Sequence, residues 1–399
     1  MEMDDFEKYY EETMNSEESE APEQIKKLEK RHRRGGMDIP FLVLTIVILT
    51  IGVLTVLSAS FARSYYSGNN PAYVFIRQLI FAITGIVLML IVSRFRMSFF
   101  RNWSFRLMVI SVILLGAVLA LGIVGGGSRR WIDLKVTTFQ PSEIAKLAII
   151  LYFADRICKT GPKKMGTFKY GILPFGIVLG IVVILLLLEP HLSGAVIIIA
   201  VAVILMIVGG MNLRWFFAVA AAVLVVGTVF IFTFDYAQDR VTAWLHPEND
   251  PLDKGFQILQ SLYAIGSGGL TGLGIGQSRQ KFLYLPEEHN DYIFAIFCEE
   301  MGFIGAMLIL VLFALLITRG FWIALHARDK FSSLVATGIS SLLAVQVFLN
   351  VAVVTNLIPS TGISLPFFSY GGTALWLQLV EMGIILSISR DIPLEKAVD

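Results

Sequence analysis

The residues best suited to chemistry sit in one stretch, SRQKFLYLPEEHNDYIFAIFCEE, Ser278 to Glu300. Arg279, Lys281, Glu287, Glu288, His289 and Asp291 stand there directly before an apolar run that opens at Tyr292. If that run crosses a membrane, Asp291 falls in the first turn of its helix, where free backbone N–H groups favour an anion. An acid kept ionised at the edge between water and lipid can serve as a general base, and the same position suits an aspartate that caps its helix. The two roles are compatible. A second pair is Glu143 and Lys146, three residues apart and so on one helix face. Charges one turn inside a membrane helix pair with each other or face a cavity, so an internal salt bridge and a substrate-facing role both stand. Just upstream, GGGSRRW brings Arg129, Arg130 and Trp131 to a glycine-rich approach. The segment from Gly266 to Gly276 holds six glycines in eleven residues, but it lacks the strand-turn-helix setting of a phosphate loop and reads as a flexible turn.

These residues need elements to hold them, and the composition says what kind. Hydrophobic residues make up 56% of the 399-residue chain and charged residues 16%, against about 25% in soluble domains. The expectation is an all-α polytopic membrane protein. Ten apolar segments reach the length of about 17–25 residues that a bilayer requires: 39–61, 73–93, 105–124, 140–158, 171–188, 192–210, 213–234, 291–318, 332–357 and 370–389. The fourth carries Glu143, Lys146 and Asp155. With the N-terminus inside, 21 Lys and Arg fall in inner loops and tails against nine in outer loops, which puts both termini in the cytoplasm. Residues 1–36, with eleven acids and seven bases, read as a disordered tail, 37–391 as the membrane domain, and 392–399 as a short cytoplasmic tail. No cleavable signal peptide is read before the first apolar run.

Three regions then face outward. They are Gly125–Lys146, a large extracytoplasmic loop over 235–290, and PSTGISLPFFSYGG, Pro359 to Gly372. Within the large loop, Phe256, Leu259, Leu262 and Tyr263 have the spacing of a short helix lying on the membrane surface. The prolines and glycines of 359–372 exclude a regular helix, so this segment should fold back over the mouth of the bundle. Glu299, Glu300 and Glu381 lie deep in helices, as structural pairs or along a polar route. Cys158 and Cys298 define neither a disulfide framework nor a metal site, and His191 reads as part of a tight turn. A net charge of +1 points to no nucleic-acid partner.

Taken together, RRWI, FQPSEIAK, the run from HPENDP through GFQ and QSLYAIGSGGLTGLGIGQSRQKFLYLPEEHNDYIFA, EEMGFIG and NLIPSTGISLPFFSYGG closely resemble the SEDS family of cell-wall polymerases, which includes FtsW, RodA and SpoVE. The likeness covers about 38–390, and SRQKF before YLPE is more similar to the FtsW and SpoVE branch. The resemblance implies an inverting peptidoglycan glycosyltransferase that polymerises lipid II at the outer face of the cytoplasmic membrane, for division or related septal or spore wall synthesis. It also implies a class B penicillin-binding protein as partner. The family's essential Asp falls on Asp291. The Thr before it is Asn290 here, and the usual Pro-Asp after the fifth span is Pro190–His191, so no acid is carried over to that position. On this reading Asp291 takes a proton from the attacking sugar hydroxyl. Lys146 with Glu143, Arg129, Arg130, Trp131, Arg77, Glu287 and His289 are the substrate-binding candidates, and a divalent cation at the pyrophosphate is left open. The rival readings are a lipid II flippase using Glu143, Lys146, Glu299 and Glu381, and a noncatalytic scaffold for the penicillin-binding protein.

Overall fold

The computed structural model describes residues 35–392 except 67, 69, 126–127, 134–137, 234, 252–254, 283–284 and 287. The two expected tails and the candidate Glu287 therefore lie outside the described residues, as does the side chain of Arg129. Residues 37–392 form one compact unit.

Helices dominate it. They are α1 (Ile39–Tyr66), α2 (Tyr73–Val92), α3 (Met97–Leu121), α4 (Pro141–Thr160), the short α5 (Pro162–Met165), α6 (Leu173–Leu188), α7 (Leu192–Val208), α8 (Leu213–Thr233), α9 (Asp235–Leu245), α10 (Phe256–Gly268), α11 (Ile293–Leu325), α12 (Lys330–Val354) and α13 (Gly372–Ser389). Each of the ten expected apolar segments coincides with one of these helices. Seven helical stretches among the described residues are long and apolar enough to cross a membrane. The helix α7 is apolar but has 17 residues.

The helix α4 has the most charge and the deepest burial. It starts where Pro141 fits its first turn and ends at Gly161, whose positive φ of 77° stops the helix. It packs between α3, α7 and α12. Asp155 is tied to Arg101 at 3.0 Å and Lys159 at 2.5 Å, and Glu143 to Lys146 at 2.7 Å, so its buried acids each have a cationic partner. Before it, 123–139 is not a bare glycine loop but a three-stranded antiparallel sheet, β1 (Ile123–Gly125), β2 (Ser128–Asp133) and β3 (Thr138–Phe139). Alternation over so few residues leaves no readable pattern in sequence.

The region 235–290 is not one open loop. The helices α9 and α10 occupy much of it, and α10 turns Ile258, Ser261, Ala264 and Gly268 into the protein, packed on α11. Its apolar stripe of Phe256, Leu259, Leu262 and Tyr263 stays partly or fully exposed, as a membrane-surface helix requires.

The glycine-rich segment has a definite role. The helix α11 breaks at Gly302, with φ 66° and ψ −171°. In an unbroken helix Phe303 N–H and Ile304 N–H would donate to the carbonyls of Glu299 and Glu300. Here they donate to Gly269 (2.9 Å) and Leu270 (3.1 Å), while Leu273 N–H and Gly274 N–H take the freed carbonyls of Glu299 and Glu300, both at 3.0 Å. The segment is thus a plug that completes a broken helix, neither a phosphate cradle nor a flexible turn. A Cβ at Gly302 would run into the Gly272 amide nitrogen.

The segment 359–371 enters the bundle rather than lying over it. Ile363, Leu365, Phe367 and Phe368 are buried, and both phenylalanines pack against Phe313 of α11.

Candidate active site

Five pieces of chain meet around a cavity of about 1110 Å³. They are the sheet end with Arg130 and Trp131, the N-terminal turn of α4, the turn between α6 and α7, residues 290–292, and the 360–375 segment that packs beside them. Asp291, Glu143, Lys146 and Arg77 all line it. Residues more than about 200 positions apart in sequence thus face one space.

Asp291 is held from behind. The helix α11 begins at Ile293 with Tyr292 in the capping position, so Asp291 stands in the turn before the helix and not in its first turn. Asn350 of α12 donates from one amide nitrogen to the Asp291 carbonyl (2.8 Å) and to the Ile363 carbonyl (2.6 Å). Ser369 donates to the Asn290 carbonyl at 2.8 Å, and Tyr370 N–H to the His289 carbonyl at 2.9 Å. Main chain on both sides of the carboxylate is therefore pinned, leaving its side chain on the cavity wall. Gly362 lies against it: a Cβ there would sit 3.1 Å from Asp291 Oδ2, and φ at that glycine is +67°.

The neighbouring candidates divide. Glu288 is fully buried and takes two hydrogen bonds from Arg63 of α1, at 2.7 and 2.8 Å. Burial works against its ionisation, but His289 and Arg63 outweigh it and hold the carboxyl below its ordinary range. His289 is buried beside Glu288 (3.5 Å) and the Tyr370 ring, away from the cavity wall. It supports the turn that carries Asp291. Arg77 receives support from Tyr73, whose hydroxyl accepts from it at 3.2 Å. Arg130 donates to the Pro190 carbonyl at 2.5 Å.

Glu143 and Lys146 form a buried ion pair at 2.7 Å, the expected internal salt bridge, and both side chains line the cavity. Glu381, buried on α13, lies near enough for both charges to act on it. The other deep acids are engaged elsewhere. Glu299 accepts from the Ser278 hydroxyl and from Arg279 N–H at 3.0 Å, and Glu300 binds Lys281 at 3.1 Å and the Ser58 hydroxyl at 2.5 Å. They anchor residues 278–281, and a transmembrane polar route loses one of its proposed steps.

Sequence reasoning passed over His191, Ser142, Ser193 and Gly362, which line the cavity, and Asn350, which orients Asp291. A lone hydroxyl or amide carries no signal until its partner, 59 positions away for Asn350, is known. Burial, with Arg130 and Lys146 nearby, pushes the His191 imidazole down to about 3. Burial pushes the adjacent Glu189 carboxyl up to about 8. Among the described residues no three His, Cys, Asp or Glu side chains gather as a metal site would need.

The family model described as cell cycle protein, FtsW/RodA/SpoVE, matches residues 39–392. The chain belongs to that family. It is 42% identical over 361 residues to stage V sporulation protein E of Bacillus subtilis (strain 168), covering 90% of this chain and 98% of that protein. It is 38% identical over 369 residues to a probable peptidoglycan glycosyltransferase FtsW of Trichlorobacter lovleyi, covering 92% and 97%. Its fold is similar to a chain of a solved peptidoglycan synthase complex that coordinates polymerization and crosslinking, with a TM-score of 0.74 and 28% identity over 89% of this chain and 98% of that one. The cavity belongs, then, to an FtsW/RodA/SpoVE protein, and Arg130, Trp131, Glu143, Lys146, Asp291 and Gly362 of its lining come from the segments that carry the resemblance.

Proposed function

We propose that this chain is a peptidoglycan glycosyltransferase that lengthens glycan strands from lipid II at the outer face of the cytoplasmic membrane, paired with a class B penicillin-binding protein. The observation that carries it is a single cavity lined both by a pinned carboxylate and by cations, among them the buried Lys146. The positive-inside count supports the outward side, and 37–391 acts as one membrane domain between two cytoplasmic tails.

Chain growth joins a sugar hydroxyl to the anomeric carbon of a second lipid-linked sugar with inversion, and expels a lipid pyrophosphate. A hydroxyl is a poor nucleophile near neutral pH. Asp291 accepts its proton as the new bond forms, a contribution of roughly 10²–10⁴-fold. The bond to pyrophosphate breaks at the same time, and its electron pair leaves with the phosphate oxygen. Lys146, Arg130 and Arg77 meet that developing charge without rearranging. Glu143 holds the Lys146 side chain in place at 2.7 Å. No step is routed through a divalent cation.

The test is elongation of lipid II by the purified chain with its partner, in detergent and without vesicles. Neither transport nor scaffolding lengthens a glycan under those conditions. Asp291→Asn is expected to fold and to lose polymerisation by at least about 10²-fold. Full activity in that variant removes Asp291 from the mechanism.

A further inference from the structure

The helices α4 and α7 both begin at the cavity. Pro141 opens α4 with Ser142 second, and His191 caps α7 with Ser193 as its second residue. Helix N-termini present partial positive charge and free N–H groups to whatever lies before them. Three side chains at these two ends are buried and without a hydrogen-bond partner: Ser142 Oγ, Ser193 Oγ and His191 Nδ1, in residues 1%, 2% and 7% exposed. Buried polar groups are nearly always hydrogen-bonded, and three orphans on one cavity wall call for a ligand.

The chemistry of that ligand follows from what surrounds them. Gln140 Nε2 lies 3.5 Å from His191 Nε2. An amide NH₂ only donates, so His191 Nε2 accepts and Nδ1 carries the proton. The ring is packed on Gly194, where a Cβ would come within 2.8 Å of it, and it stays neutral because burial, Arg130 and Lys146 all oppose its protonation. The wall therefore offers one imidazole N–H, two hydroxyls, an ammonium and a guanidinium. Of the carboxylates that line the cavity, Glu143 is already paired with Lys146, and Asp133 and Asp291 are the others. A sugar would bring donors of its own to such a wall, whereas a pyrophosphate brings only acceptors and negative charge.

Resting on the glycosyltransferase reading, we propose that Ser142, His191 and Ser193, at the converging N-termini of α4 and α7, hold the pyrophosphate of the lipid-linked donor beside Lys146 and Arg130. They are binding residues that grip the leaving group in the cavity that Asp291 also lines.

The test uses the full-length protein in detergent and undecaprenyl pyrophosphate as probe, with binding read by tryptophan fluorescence. Undecaprenol is the phosphate-free comparison, and phosphatidylglycerol the competing phosphate lipid. His191→Ala and the double variant Ser142→Ala/Ser193→Ala should each weaken pyrophosphate-lipid binding about 10-fold or more, the effect of losing a hydrogen bond to a charged group. Undecaprenol binding should be unchanged, and His191→Gln, which keeps an N–H, should recover most of the loss. The serine variants remove one oxygen each and keep the test open if a histidine variant misfolds. The proposal is overturned if the variants bind the pyrophosphate lipid like the wild type, if they lose both lipids alike, or if phosphatidylglycerol competes on equal terms. A wild-type chain that binds the pyrophosphate lipid but never elongates lipid II would instead defeat the glycosyltransferase reading and leave the binding wall standing.

Discussion

At the scale of single residues, the site depends on how tightly Asp291 is placed. Gly362 tests this without touching the carboxylate itself. An alanine there would put a methyl 3.1 Å from Asp291 Oδ2 at a backbone φ of +67°, which costs an L-residue about 1–2 kcal/mol. Gly362→Ala should fold with a lowered melting temperature and lose about 10–100-fold in kcat, since displacement of a reacting group by an ångström has effects of that order. A kcat within twofold of the wild type would show that the carboxylate tolerates movement. Glu189 makes a prediction about pH. Its carboxyl is pushed from 4.5 up to about 8 by burial, so the folded protein keeps a proton that the unfolded chain releases across that window. Stability must then fall as pH rises from about 4.5 towards 8. Glu189→Gln should flatten that slope in thermal melts and leave the mutant relatively more stable at pH 8; an unchanged slope would place the titration elsewhere. Asp291, Glu143, Lys146, Arg130 and Arg77 were legible in sequence because charge stands out in an apolar chain. His191 and Ser193 were not, since a short polar turn between two apolar helices looks alike whether it faces lipid headgroups or a buried wall.

At the scale of elements, the spans were legible because bilayer crossing imposes a length and a polarity that composition reveals directly. What escaped was how elements complete each other. Six glycines between 266 and 276 suggested flexibility, yet they are bare because backbone meets backbone at the break in α11. Four hydrogen bonds that α11 would make with itself and with water are exchanged between two segments, and the same junction carries Glu299 and Glu300, whose carboxylates anchor residues 278–281. Gly302→Ala should therefore cost far more than a helix glycine usually does, on the order of 3 kcal/mol or more, from a strained φ and at least two unsatisfied backbone groups. The readout is a large drop in melting temperature in detergent, with Gly116→Ala, in the regular helix α3 where an added Cβ meets nothing within 4 Å, as the comparison. Equal melting of the two variants would mean that the exchange contributes little. The same logic explains why the sheet of 123–139 and the insertion of 359–371 were missed: both are set by partners distant in sequence, not by local periodicity.

At the scale of the whole molecule, the chemistry requires that the cavity open on the side where lipid II presents its sugars. On the proposed ten-span topology, 21 Lys and Arg fall on the side opposite to Asp291 against nine on its own side, and such a bias fixes orientation when it lies near the membrane ends. Two exposed positions report the two sides. Leu270, 70% exposed in the plug segment, belongs to the cavity side, and Arg328, exposed between α11 and α12, to the opposite one. In a background carrying Cys158→Ala and Cys298→Ala, Leu270→Cys in intact cells should react with a membrane-impermeant maleimide, and Arg328→Cys should react only after permeabilisation. The helix α11 joins these two positions and is long and apolar enough to cross the bilayer, so they must report opposite results. The reverse pattern would turn Asp291 towards the cytoplasm, away from any growing glycan, and a general base that never meets its acceptor sugar cannot lengthen a strand.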